Sequence, residues 1–327
     1  MELRRASALN ADAAQYRRHS LHAPDRVWVE KNCYVDVWIE LLHALGLDPM
    51  AMLAFTVAVD FEGDQWTFFK PPHEDLRHLY GIDVQELYVW RPLLDHALEH
   101  LAAGKFISTE ADAFWLPDTA GTDYRRQHTK TTIILGAVDA DAKRLSYFHN
   151  AAYHTLEGED FAETFRLDAL PDPAWMPLFA EIIRRDRLRE APPEALRELS
   201  AALLRKHVAW LPAENPVRRF QRRFALDLPQ LARQGLAQYH AWVFGTVRQL
   251  GAAAELSALY LQWIEPAQGG GAGPAAAAFA QISDVCKTLI LKTARAINGR
   301  RSPDFSENFE AMADAWDRAS AALRAWR

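Results

Sequence analysis

Asn32-Cys33 stands where an extended segment passes into an amphipathic helix predicted over 33–45. A thiol at a helix start faces the positive end of the helix dipole and unpaired backbone N–H groups, which favour the thiolate. The same N–H groups can hold the oxyanion formed when a thiolate attacks an acyl carbonyl. The competing reading of an unpaired cysteine is a small buried hydrophobe. The second cysteine, Cys286 in SDVCKTLILK, lies inside a predicted helix and is read as core. A nucleophilic Cys33 needs a base, and among 12 histidines the candidate is His128, at the mouth of a predicted strand 95 residues later. Its alternative is a surface histidine at a strand end. Asn150, 22 residues further on, is placed to accept the imidazole Nδ1–H and fix the tautomer. A hairpin turning near Asp141 sets residue 128 opposite 154, so a bulge or longer loop is implied, and His149, His154 and Asp139 remain alternative third members.

The elements that must position these groups alternate in the first half of the chain. Val37, Leu41, Leu42 and Leu45 form the apolar stripe of the helix from Cys33, which Gly46 and Pro49 end. MAMLAFTVAVDFEGDQWTFFK reads as two strands around Glu62-Gly63-Asp64. Helices follow near 73–80 and 92–103, then the strands TKTTIILGAV and RLSYFHNAAY around a turn at 139–143. From about Asp160 the pattern is helical, near 174–188, 193–208, 215–222, 228–264, 275–297 and 304–326. The expected architecture is therefore an α+β domain at 1–160 followed by an all-helical domain at 161–327.

Other motif-like strings have plainer readings. His96-Ala97-Leu98-Glu99-His100 fits the H-x-x-E-H zinc pattern. However, Leu94, Ala97, Leu98 and Leu101 form that helix's apolar face, which leaves His96, Glu99 and His100 on a solvated one, and no metal is expected. Leu116-Pro117-Asp118-Thr119 has the form of a sortase signal but is internal, and reads as a turn. Asp60, Glu62 and Asp64 lack calcium-loop spacing, and Gly269–Gly273 reads as a linker. In the helical half, Arg184, Arg185, Arg187 and Arg189 form one cluster and Arg218, Arg219, Arg222 and Arg223 another. Such a face suits a carboxylate, a phosphate or an acidic carrier protein bearing a thioester, although ordinary solvated helix surface looks the same.

Composition narrows the partners. Half of the residues are hydrophobic and 24% charged, which excludes disorder, collagen and coiled coil. A net charge of −6 argues against nucleic acid. Up to Asn150 there are 15 basic and 22 acidic residues, beyond it 22 and 21, so the acidity resides in the α+β half. No stretch has the length and apolarity of a signal core or spanning helix, and two cysteines suit a reducing compartment, so a cytoplasmic protein without membrane contact is expected.

Cys at a helix start, His opening a strand and Asn on the next strand resemble papain-like cysteine enzymes, in particular bacteriocin-processing peptidases and the N-terminal domain of the butirosin-biosynthesis acyltransferase. More closely, NCYVDVWIELLHALGLDP, DFEGDQWTFFK, LYGIDVQEL, LPDTAGTDYRRQHTKTTI and YFHNAAYHTLEGEDF resemble the bacterial family designated domain of unknown function 1839, over most of the chain. The wider resemblance implies a papain-like fold and acyl chemistry through a Cys33 thioester, with His128 as base and Asn150 as orienter. Papain-like enzymes place a Gln before the Cys as oxyanion donor, whereas this chain has Glu30, Lys31 and Asn32, which gives that role to Asn32 or Lys31. Thr131 aligns best with their histidine, and His128 lies three residues before it. The function expected is a cofactor-free acyltransferase that moves an acyl or aminoacyl group from a thioester donor to a small amine or hydroxyl acceptor. A papain-like hydrolase and an inactive papain-like binding protein are the alternatives.

Overall fold

The structure is a computed structural model that describes residues 3–167, 178–265, 271–299 and 303–326. The chain forms two compact units, one of residues 1–23, 32–49 and 76–190, the other of 24–31, 50–75 and 191–327.

The first unit is α+β. Its elements are β1 (Arg5–Ser7), α1 (Cys33–Ala44), the second half of α2 (His73–Tyr80), β2 (Asp83–Glu86), α3 (Leu93–Ala102), β3 (Phe106–Asp112), β4 (Lys130–Asp139), β5 (Arg144–His149), β6 (Ala152–Glu157), α4 (Glu159–Thr164) and β7 (Ala180–Arg184). Among the described residues seven strands form one antiparallel sheet, six of them in the order β2-β7-β3-β4-β5-β6 and β1 off that path on β4. Along one edge of β4, β3 pairs with Lys130–Leu135 and β1 takes over at Ala137–Asp139. Strand β4 is buried nearly throughout, with β3 and β5 beside it and both α1 and α3 packed against it. That explains a continuous Ile133-Ile134-Leu135 run instead of strict alternation. A bulge between Leu135 and Ala137 shifts the register against β5, and the bulged residue is Gly136, where a Cβ would run into the Tyr153 ring.

The second unit contains α5 (Pro193–Val208), α6 (Pro216–Gln234), α7 (Leu236–Gly245), α8 (Val247–Ile264), α9 (Gly273–Asn298) and α10 (Ser306–Ala325). An aromatic core joins them, in which Phe220 lies 5.3 Å from Phe61 and 5.6 Å from Phe309, and Trp66 lies 6.2 Å from Trp316. Cys286 is fully buried in α9, and burial pushes its thiol far up, as the core reading expects.

Several local expectations give way to tertiary context. The apolar stretch at 49–58 is a 3-10 run rather than a strand, and the hairpin expected after it shrinks to a single bridge, Phe61 with Trp66. RLSYFHNAAY is two strands, because Asn150 turns the chain in a left-handed conformation (φ 46°) that Asn tolerates. The helix expected at 174–188 is instead β7, inserted between β2 and β3; residues 174–177 lie outside the described ones. The helix expected over 228–264 is broken at Gly235 (φ 87°) and again at Thr246, which yields the end of α6, then α7 and α8. His96 is buried rather than solvated, stacked near-parallel with His100 and edge-on to Trp90. The expected linker at 269–273 falls partly on residues outside the described ones.

Candidate active site

Cys33 is the first residue of α1. Asn32, extended at φ −147° and ψ 156°, caps the helix: its side-chain oxygen accepts from Tyr34 N at 3.1 Å and Val35 N at 2.9 Å. The cap leaves Cys33 partly exposed, with its sulfur 3.8 Å from the hydroxyl of Thr132 on β4. Beneath it the helix is anchored by buried polar contacts. Asp36 and Glu40 are fully buried and face the two ring nitrogens of His22, Asp36 Oδ1 at 3.0 Å from Nε2, while Tyr16 donates to Glu40 Oε2 at 2.6 Å. Tyr34 reaches the sheet, donating to Glu181 Oε2 at 2.9 Å.

His128 lies in the loop that leads into β4. Its Nδ1 is 2.6 Å from Asp112 Oδ2, its ring stacks on Phe114 at 4.4 Å, and its side chain is 70% exposed. Asp112, the last residue of β3, is itself fixed by accepting from Phe114 N at 3.1 Å and Thr129 N at 3.3 Å. The partner of His128 is thus Asp112, which sequence reasoning missed. The signal available was an aspartate before the aromatic pair Phe114-Trp115, at the end of a strand that turns out to neighbour β4.

Asn150 is the first of two turn residues between His149 and Ala152, and among the described residues no hydrogen bond joins it to His128. Asp139 is at the opposite end of β4, accepting from Asp141 N and Ala142 N and pairing with Arg5. Nine residues of strand, roughly 30 Å, separate it from the end near His128. His149 instead enters a buried network. Its Nδ1 is 2.5 Å from Asp118 Oδ2 and its Nε2 2.8 Å from the Thr131 hydroxyl, while Tyr147 donates to Asp118 Oδ1 and His154 Nε2 lies 3.8 Å from Oδ2. Burial alone would raise the Asp118 carboxyl. The hydrogen bond and charge of His149, aided by His154 and Tyr147, outweigh it and hold the group below its usual range. The LPDT segment is therefore more than a turn.

In the second unit, Lys31 is fully buried, donating to Val29 O at 3.3 Å with its Nζ 3.9 Å from Glu255 Oε2. On α6, Arg218 pairs with Glu310 and Asp314, Arg219 with Asp60, and Arg223 with Asp227. Arg222 is exposed with no ion pair among the described residues. The described residues contain no group of three or more His, Cys, Asp or Glu arranged to hold a metal, and no helix among them is long and apolar enough to cross a membrane.

Residues 17–185 match the DUF1839 N-terminal domain and residues 193–325 the DUF1839 C-terminal domain. The chain belongs to the DUF1839 family. A search of curated proteins returns no match. Cys33, Asp112, Asp118, His128, Thr131 and His149 all fall in the DUF1839 N-terminal domain, and the α6 arginines in the C-terminal one.

Proposed function

We propose that this DUF1839 protein is a papain-like, cysteine-dependent acyltransferase. One juxtaposition carries the reading: a partly exposed thiol at the start of α1 lies on strand β4, and the loop entering that strand bears an imidazole whose Nδ1 is already held by a carboxylate. In the reaction, His128 Nε2 takes the Cys33 proton, and the sulfur attacks the acyl carbonyl of a thioester donor. The donor thiol leaves with that proton, and an amine or hydroxyl acceptor then attacks the Cys33 thioester to regenerate the thiol. His128 stands four residues before Thr132, so its exposed ring must swing toward the sulfur when donor binds, as catalytic contacts that close only in the complex do. We assign a small-molecule thioester donor rather than a carrier protein docked on α6, because three of the four arginines there are committed to carboxylates of the chain. Without an acceptor, water takes its place and the protein acts as a thioesterase.

A second reading rests on Thr132. Its hydroxyl, rather than an imidazole, is the group beside the sulfur, which favours a binding protein without turnover. Intact-mass measurement after incubation with acyl-coenzyme A thioesters separates the two. An acyl adduct that is present in wild type and Cys286→Ala, lost in Cys33→Ala and slowed in His128→Ala supports the transferase. Absence of an adduct, or one that survives Cys33→Ala, overturns it.

A further inference from the structure

The Thr131, His149 and Asp118 network has an order that hydrogen-bond satisfaction alone does not require. A carboxylate can only accept, so the His149 nitrogen 2.5 Å from Asp118 Oδ2 carries the proton, and in the neutral imidazole the other nitrogen must then be an acceptor. With the ring in that neutral form, the hydroxyl 2.8 Å from the second nitrogen donates to it. Carboxylate, imidazole and hydroxyl thus stand in the sequence that activates a serine or threonine nucleophile, with both contacts at hydrogen-bond length. Cys33 has no such partner: its only hydrogen-bond neighbour among the described residues is Thr132, whose side chain lies on the opposite face of β4 from that of Thr131.

We propose that Thr131 is a second nucleophile, independent of Cys33, that accepts acyl groups from esters. The residue is second in β4 and 6% exposed, so it sits just beneath the surface at a strand end rather than in mid-sheet. Asp118 comes from the segment 113–129, made of two short 3-10 turns and a loop in which Arg125 adopts a left-handed φ of 57°. That segment also carries Asp123, which accepts from the Thr129 hydroxyl at 2.6 Å, and Tyr124, which donates to Asp160 at 2.9 Å. In the step, Thr131 Oγ attacks the ester carbonyl and its proton passes to His149 Nε2. The bond to the leaving oxygen breaks as His149 returns the proton to it, and water repeats the sequence to free Thr131.

The test treats the full-length protein with an alkyl fluorophosphonate, which loses fluoride as the attacking oxygen bonds to phosphorus, and maps the adduct by peptide mass spectrometry. The adduct is expected on the peptide bearing Thr131 in wild type, Cys33→Ala and Thr131→Ser. It is expected to be absent in Thr131→Val and at least tenfold slower in His149→Gln. A folded wild type without adduct on Thr131, or Thr131→Val labelled at the same rate, overturns the proposal. Because the decisive mapping is made on wild type, a variant that fails to fold does not remove the answer. Because Cys33→Ala must retain the label, this outcome is separate from that of the Cys33 reading.

Discussion

Asp118→Asn tests how much of the first unit's stability the buried network supplies. The side chain is 8% exposed and its two oxygens accept from His149 Nδ1 and the Tyr147 hydroxyl. Asparagine keeps the shape, but it removes the charge that makes both bonds charge-assisted, and it turns an NH2 toward a donor. A hydrogen bond to a charged group contributes about 1.5–3 kcal/mol, so losing the charge under both, with partial recovery by the amide oxygen, gives a destabilisation of about 3 kcal/mol at pH 7. For a unit of this size that is a fall in Tm of roughly 6–12 °C. The pH dependence has a definite sign. The folded pKa of Asp118 lies below its unfolded value, so its contribution is fully present above the ordinary aspartate pKa of about 3.9 and is lost as pH falls through the lower folded value. Thermal melts of wild type and variant should therefore differ most near neutrality and converge in strong acid. A variant within about 0.5 kcal/mol of wild type at pH 7, the ordinary range for an inconsequential surface change, would refute the reasoning.

Removing the cap by Asn32→Ala is expected to cost about 1 kcal/mol, read as a shift in urea midpoint with unchanged slope. Ellman's reagent should titrate one thiol per native chain, Cys33, and two after denaturation, since Cys286 is fully buried; two equivalents in the native state would contradict the burial. His22→Gln leaves the buried Asp36 and Glu40 without the imidazole whose two nitrogens they face and is expected to destabilise by about 1–3 kcal/mol for each group left unsatisfied, measured by chemical denaturation. Gly251→Ala would bring a Cβ to 2.9 Å from the Cβ of Cys286 and against the Trp28 ring, costing about 1–3 kcal/mol in the same assay.

The parts of this protein that could be read in advance are those set by neighbours in sequence. The helix from Cys33 was legible because Asn32, the apolar stripe and Gly46 are all local signals, and it runs Cys33–Ala44. The β4 and β5 hairpin was legible for the same reason, through Asp139 and the turn after it. Strand β7 was not. Ala180–Arg184 has the Ile and Arg content of a short helix segment, and only its distant partners β2 and β3, roughly 70–100 residues earlier, make it a strand.

The candidate site divides along the same line. The sequence alone determined that a lone thiol would stand at a helix start, that Cys286 would be core, and that a histidine would lead into a strand, since each follows from local periodicity and punctuation. Only the tertiary structure decided which carboxylate each histidine meets. Asp112 reaches His128 because β3 pairs with β4, and Asp118 reaches His149 because the 3-10 turns after β3 fold back over the sheet. Asn150 was drawn into a turn for an equally non-local reason: β6 returns alongside β5, and the chain has two residues in which to reverse. Side-chain partnership across a sheet depends on strand order and register, and those are fixed by burial of the whole sheet rather than by any one segment.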